Sequence, residues 1–372
     1  MKNVLVSGAS IAGLTLAHWL RRSGFAVTVV ERAPDVRPGG QAIDVRGVAL
    51  DVLDRTGILG EARDLRTRMR GMSMLDARGV EQWRSTEMTY SSGRLDSDDI
   101  ELLRDDLVGL LYRQAREAGV QFLFDDSTAA LDDQDGAALR VGFERGADRT
   151  FDLVLGADGL HSKVRQLAFG PEDQFIRHLG AYVTVFSTDN FLDLDNWQIW
   201  LDDEAATYCV YPVRDNREIR ATLGFRSEQP LAYDHRDTEQ QKALMTAGLA
   251  GTGWETPRLL QAMRRAPDFF FDSMAQIHMD RWSRGRVALA GDAGYCASPL
   301  SGQGTSLALV GGYVLADELA RAQGDHTVAF ARYEERMRPF VALNQALALE
   351  NQGGTPADES LEKAKNALTL DA

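Results

Sequence analysis

The sequence predicts an α/β fold: a parallel sheet, interrupted by an inserted and mostly antiparallel sheet, and followed by a helical C-terminus. Three observations carry this. The first thirty residues read strand, glycine turn, helix, strand. After about residue 175 the texture turns to alternating, aromatic-rich strands. Buried-strand character then returns at "GRVALAGDA", ahead of a long helical stretch.

Val4–Val6 are apolar and long or β-branched, as in a strand buried on both faces. From Ile11 to Leu20, the apolar residues Ile11, Leu14, Leu16, Ala17 and Leu20 recur at helical spacing, and Gly24 stops the helix. "FAVTVVER" is a second strand, running to Glu31. So short a crossover makes the two strands parallel neighbours. "APDVRPGGQ" is a loop and "GVALDVLDRTGIL" an amphipathic helix. "DIELLRDDLVGLLYRQAREAG" is a further helix, with Leu103, Leu107, Leu110 and Leu111 on one face. "VQFLF" is a strand; "LRVGFERGADRTFDLVLGADG" is a strand, a polar turn and a buried strand at Leu153–Leu155. "AYVTVFSTD", "NWQIWLDDEAATYCVYPV" and "REIRATLGFR" are antiparallel strands divided by turn residues. Helix is expected from about Thr305 to Ala322, and the last fifty residues are polar and mostly helical, broken around "NQGGTPAD".

The 372 residues suffice for one large or two ordinary domains. A net charge of −14 repels phosphate backbones, so no nucleic-acid partner is expected. Cys209 and Cys296 form neither a CxxC pair nor a disulfide framework, which suits a reducing cytoplasm. The apolar start is read as the first strand and helix of the fold, not as a signal peptide. No run reaches the roughly 18 uninterrupted apolar residues of a membrane span, so no integral membrane association is expected. A monomer is expected.

"VLVSGASIAGL" admits two chemistries. Gly8, Ser10 and Ala12 approach a nucleophile elbow, but that arrangement needs an oxyanion-hole loop from an earlier strand, and only nine residues precede Ser10. A dinucleotide turn needs Gly8 for the tight bend and Gly13 for close helix–strand packing. It also needs an acid some 20 residues on to hold a ribose hydroxyl, and Glu31 supplies it. Serine is small enough at the middle position for a pyrophosphate to approach. Two later corners have the same texture. Gly156, Ala157, Asp158 and Gly159 end one strand; Gly291 and Asp292 end another, before Gly302, Gln303 and Gly304 open a helix whose free N–H groups attract negative charge. Each corner alone reads as a tight turn.

Together, in this order, the three corners resemble the para-hydroxybenzoate-hydroxylase-like class of FAD-dependent aromatic monooxygenases (class A). The family's N-terminal fingerprint falls on Gly8, Ser10, Ile11, Ala12 and Gly13 with Glu31 and Arg32. Its DG motif falls on Asp158-Gly159, with Ser162 and Arg165 also fitting. Its GD motif falls on Gly291-Asp292, and Pro299, Gly302, Gln303, Gly304 and Thr305 match the loop that faces the flavin ring. Arg104, Leu107 and Leu111 match an arginine helix that contacts FAD. Ser10 stands where the family has glycine, Tyr295 where it has histidine, and Ser306 where asparagine is frequent. The nearest subgroup is the tetracycline-inactivating and polyketide-tailoring hydroxylases, partly through "GGQAIDVRGVALDVLDRTGIL".

The resemblance implies a Rossmann-like FAD-binding domain over 1–73, 98–175 and 273–340. It implies an inserted, mostly antiparallel β-sheet substrate domain over 74–97 and 176–272, and a C-terminal helical segment over 341–372. It also implies that FAD is reduced by transiently docked NADH or NADPH and combines with O2 as a C4a-hydroperoxide, which hydroxylates a phenolic or polycyclic aromatic compound. Pro299, Gly302 and Gly304 would then face the reacting ring; Asp292 would bind the ribityl or pyrophosphate region, and Arg46 the nicotinamide or flavin. Gln198, Trp200, Tyr211, Phe225 and Arg226 are the expected substrate residues, with Trp197, Tyr208 and Phe269–Phe271 as further aromatic walls. No metal site is expected: the six histidines have no ligand spacing, and "LDDEA" and "LRDDL" read as solvated turns or faces. Two other functions use the same features. One is a flavin-dependent reductase or dehydrogenase that inserts no oxygen. The other is a non-catalytic flavoprotein that sequesters a ligand.

Overall fold

The computed structural model describes residues 1–90, 93–134, 136–203, 206–352 and 357–371. Strands Asn3–Ser7, Ala26–Val30, Gln121–Leu123, Leu153–Gly156 and Val287–Leu289 form a parallel sheet, with Ser283–Arg284 antiparallel at one edge. Asn3–Ser7 lies at its centre, between Leu153–Gly156 and Ala26–Val30. Both faces are covered, which explains the unbroken apolar character of "VLV". Val4 and Val6 face the helices Ile11–Arg22, Arg104–Glu117, Gly304–Arg321 and His326–Gln352. Leu5 points the other way, toward a three-stranded antiparallel sheet and the helix Lys163–Phe169.

That small sheet is Thr128–Gln134, Ala138–Phe143 and Arg149–Phe151. Its first strand is absent from the sequence reading, because "TAALDD" carries too few apolar residues to register. The expected helix over 99–119 is split. Ile100–Leu103 is a strand, buried at all four residues and paired with Ala42–Val45. The helix starts at Arg104, where Asp105 and Asp106 in the first turn complement its positive end. Leu103 therefore leaves the helical face it was expected to share with Leu107.

The second sheet has seven strands in the spatial order Phe270–Ile277, Ile176–Asp189, Glu218–Arg226, Ala206–Val213, Gln198–Asp202, Met72–Leu75, Glu81–Ser85. All its pairings are antiparallel except that of Gln198–Asp202 with Met72–Leu75. One face buries Tyr182, Phe186, Tyr208, Leu223, Phe225 and Phe271 under the helices Thr238–Gly248 and Thr256–Arg265. The other face looks toward the parallel-sheet half: the Tyr211 hydroxyl accepts from the Ala42 N–H at 2.6 Å, and Arg220 Nε donates to Gly40 O at 3.1 Å.

At the C-terminus, helix His326–Gln352 is followed by Asp358–Lys365. The expected break around "NQGGTPAD" falls largely on residues 353–356, outside the described ones. Lys365 Nζ pairs with Asp99 at 2.9 Å, and the Lys365 carbonyl lies 2.4 Å from where a Gly47 side chain would begin. No helix among the described residues is long and apolar enough to cross a membrane.

Tyr295 shows how tightly the helical layer is fitted. Its hydroxyl meets that of Tyr333 at 2.8 Å, and Tyr333 donates to Leu289 O at 3.0 Å. A β-carbon on Gly311 would stand 1.9 Å from the Tyr295 oxygen. Gly311→Ala is therefore expected to cost about 1–3 kcal/mol through overpacking, read as a lower denaturant midpoint at unchanged m. Adding Tyr295→Phe, which removes the clashing oxygen, restores part of that loss.

Candidate active site

Three strand ends build the site. Gly8 follows the central strand with φ +105°, and its N–H bonds Val30 O at 2.8 Å. A β-carbon at Gly8 would fall 2.4 Å from Ala157 O, and one at Gly13 only 1.9 Å from Gly8 O. The first turn thus sits directly on the corner at 157–159. Gly291 completes the group, since a β-carbon there would stand 2.9 Å from that of Ala12. The expected corners at 8–13, 158–159 and 291–304 therefore adjoin one another at the C-terminal ends of neighbouring parallel strands, where α/β sheets place ligands.

Glu31 ends the next strand. Its carboxylate accepts from the N–H groups of Ala9 (2.8 Å) and Ala33 (2.9 Å), which fixes it beside the turn. Arg32 is exposed; Ile11 and Ala12 are buried in the first turn of their helix. The Ser10 hydroxyl accepts from Arg104 Nη2 at 2.9 Å. A guanidinium cannot take a proton from serine, so this contact anchors a cation and does not activate a nucleophile. Burial and the neighbouring Arg37 lower the Arg104 pKa to about 10. Burial likewise lowers that of Arg37, whose guanidinium stands 5.3 Å over the Phe270 ring. Two cations crowded at the mouth of a dinucleotide turn favour an anionic ligand.

Asp158 turns inward. It accepts from Ser162 Oγ (2.5 Å), Lys163 N (2.9 Å) and Val164 N (3.1 Å), satisfying the first N–H groups of the helix Lys163–Phe169 and orienting its N-cap, Ser162. Arg165 is fully buried and binds Ala293 O at 3.0 Å, tying the corner at Gly159 to the one at Asp292. Asp292 itself is accessible to solvent, yet burial among protein atoms raises its carboxyl pKa. Pro299 is likewise exposed, opening the short turn Pro299–Ser301, and Gly302 closes that turn in the left-handed region at φ +63°. Gln303 is fully buried, and neither atom of its side-chain amide has a partner. Gly304 and Thr305 begin the helix Gly304–Arg321, whose first N–H groups lack intrahelical acceptors.

Arg46 is buried near this loop, with its Nη1 3.8 Å from where a Gly302 side chain would start, and its N–H donates to Ser306 Oγ at 3.2 Å. It pairs with Asp44 at 2.9 Å. Burial, reinforced by Glu101 and Asp99, still pushes the Asp44 carboxyl up to about 7 against the pull of Arg46.

Register divides the expected substrate residues. Trp200 pairs with Cys209 and Tyr211 with Arg220, and directly paired residues share a face. Trp200, Tyr211 and Phe270 therefore look toward the parallel-sheet half, and so does buried Gln198, which accepts from Trp200 Nε1 at 3.0 Å. Phe225, Tyr208 and Phe271 lie on the opposite face, inside the core under the two helices. Phe225 stacks on Tyr182 there, with centroids 5.6 Å apart, and does not reach the site. Arg226 stands at its strand's exposed end, 3.7 Å from Asp202. Trp197 lies over Gly71 and bonds Ser73, and Phe269 packs beside the helical core. Of "LDDEA", Glu204 and Ala205 lie outside the described residues. In "LRDDL", Asp105 and Asp106 pair with Arg214. Arg37, Asp44 and the buried Arg220 were missed. Parity along "EIRATLGFR" would have found Arg220, which alternates with the apolar residues of the other face.

A family model described as "FAD binding domain" matches residues 1–346. A flavin-dependent monooxygenase from an unidentified prokaryote is 40% identical over 97% of this chain and 92% of its own length. Another, from Legionella longbeachae, is 39% identical over 92% and 86%. The crystal structure of the tetracycline destructase Tet(51) superposes with a TM-score of 0.89 at 34% identity, covering 100% of this chain and 99% of that one.

The Asp44 site makes a pH prediction. A carboxyl whose pKa is raised on folding favours the native state at low pH, and that contribution is lost as pH rises through the folded value. Stability is expected to decline on this account between about pH 4 and about 7. In Asp44→Asn that slope should flatten, as read from denaturation midpoints across the range.

Proposed function

The chain belongs to the FAD-binding-domain family of flavin-dependent monooxygenases, and from that premise we propose an FAD-dependent hydroxylase that uses NADH or NADPH and O2 on a phenolic or polycyclic aromatic compound. The observation that carries this reading is the meeting of Gly8, Ala157 and Gly291 at one end of the parallel sheet. The residues there suit FAD. The unpartnered amide of buried Gln303 awaits a polar group, and Arg104, anchored to the Ser10 hydroxyl, places a cation beside the glycine turn.

On this reading Glu31 holds the adenosine ribose, while residues 8–13 and Arg104 hold the pyrophosphate. Asp158 acts by shaping its corner, with Gly159, and Asp292 meets the ribityl chain. Arg46, Pro299, Gly302, Gln303, Gly304 and Thr305 surround the ring. A bound flavin would supply the two-electron chemistry that links a nicotinamide donor to O2. The helix beginning at Gly304 stabilises negative charge on the reduced ring. Pro299 borders the ring without offering an N–H that would need a partner. The flavin domain and the substrate domain follow the expected segments, except that the strands Met72–Leu75 and Phe270–Ile277 belong whole to the seven-stranded sheet, so the expected borders at 73/74 and 272/273 move outward to keep them with the substrate domain. Gln198, Trp200 and Tyr211 are the residues of the latter that face the flavin; Tyr211, held through its hydroxyl to Ala42, provides a fixed wall. The likeness to a tetracycline destructase supports a polycyclic phenol as substrate.

Purified protein should be yellow and consume NADPH or NADH faster when phenols, anthraquinones or tetracyclines are supplied. Turnover under labelled O2 should add one labelled atom to the product. A turnover product without label would instead identify a reductase or dehydrogenase, and stoichiometric binding without turnover a sequestering protein. Asp292→Ala should weaken FAD retention by about 1–3 kcal/mol, measured by flavin titration of the apoprotein. Unchanged affinity would remove Asp292 from the site.

A further inference from the structure

A second cluster lies where the corner at Gly159 meets the seven-stranded sheet. His161 follows that corner, Glu172 lies in the short 3-10 turn Glu172–Gln174, and His235 lies in the loop before the helix Thr238–Gly248. Each offers a ligand atom, and all these atoms lie within 4.8 Å of one another. His161 Nδ1 is 2.8 Å from Glu172 Oε1. In a tetrahedral zinc site, bond lengths of about 2.0–2.1 Å set neighbouring N and O ligands roughly 3.3 Å apart. A cation therefore fits after a small widening.

The outer contacts are those of a built site. The other nitrogen of His161, Nε2, bonds Asp272 Oδ1 at 3.0 Å, the carboxylate–histidine arrangement that orients a metal-bound imidazole. Asp272 is itself held by the Ser273 N–H at 2.8 Å. The second oxygen of Glu172 accepts from fully buried Arg165 at 2.6 Å, leaving Oε1 for a ligand. The His161 and His235 rings stack with centroids 3.6 Å apart, tilted by 38°. Chelation needs them to fan open, and His235 is exposed and can turn.

We propose that His161, Glu172 and His235 bind a divalent transition metal of zinc's borderline softness, with water in the fourth position, clasping the 235 loop to the corner at Gly159. Two imidazoles and one carboxylate favour Zn2+ over the oxygen-seeking Mg2+ and Ca2+.

The test is equilibrium dialysis of the flavin-loaded protein against ZnCl2, with bound metal counted by mass spectrometry. Wild type should hold one Zn2+ per chain, and MgCl2 should not compete. Asp272→Asn should weaken binding roughly 10–100-fold. His235→Ala, an exposed position that leaves folding intact, should lose the site and with it any zinc-induced rise in melting temperature. No stoichiometric zinc in wild type, or unchanged affinity in His235→Ala, overturns the proposal.

Discussion

The absence of a side chain at Gly8 controls how closely the strand ends can meet. A β-carbon there would lie within 2.4 Å of a backbone oxygen, and backbone has nowhere to yield. That single approach brings the first turn onto the corner at Gly159. Arg165 then links the corner to Ala293, and the Gly291–Ala12 contact closes the circuit. Arg104 and Arg37 stand beside this floor together with the carboxylates of Glu31 and Asp292, in a chain whose net charge is −14.

The seven-stranded sheet does two unrelated jobs on its two faces. The face carrying Tyr208, Phe225 and Phe271 is an ordinary apolar core. The face carrying Trp200, Tyr211 and Arg220 is mixed in polarity and cross-linked to the flavin-side half through Ala42 and Gly40. Attachment at those points fixes the aromatic face against the parallel-sheet half. That face needs no helices of its own, because the segment around Gly40 and Ala42 lies against it.

Most of the architecture was legible because the buried parallel strands and the long helices leave strong patterns. "VLV", "LVL" and "VAL" announce strands buried on both faces, and the glycine and aspartate corners follow each. The strand Ile100–Leu103 was not legible, since "IELLRDDLVGLL" continues a helical spacing across the junction. Only its pairing with Ala42–Val45 decides the matter. Among the expected substrate residues parity separates Phe225 from Trp200, Tyr211 and Gln198: aromatic content does not tell which face of a strand a residue takes. Asp158 matched its motif, yet its oxygens are spent on capping, which spacing cannot reveal. The cluster at His161, Glu172 and His235 is scattered over 75 residues, and only the fold gathers it.

Helix Gly304–Arg321 and the strand Val287–Leu289 lie late in the chain, and Lys365 reaches back to the segment around Asp99 and Gly47. A ribosome must therefore emit most of the polypeptide before the nucleotide cleft exists. Until then, the opening strand and its glycine turn wait as an apolar stub with nothing to grip. The parallel sheet and its helical cover are thus completed only near the end of synthesis, and a nascent chain stalled before residue 287 lacks a strand of that sheet.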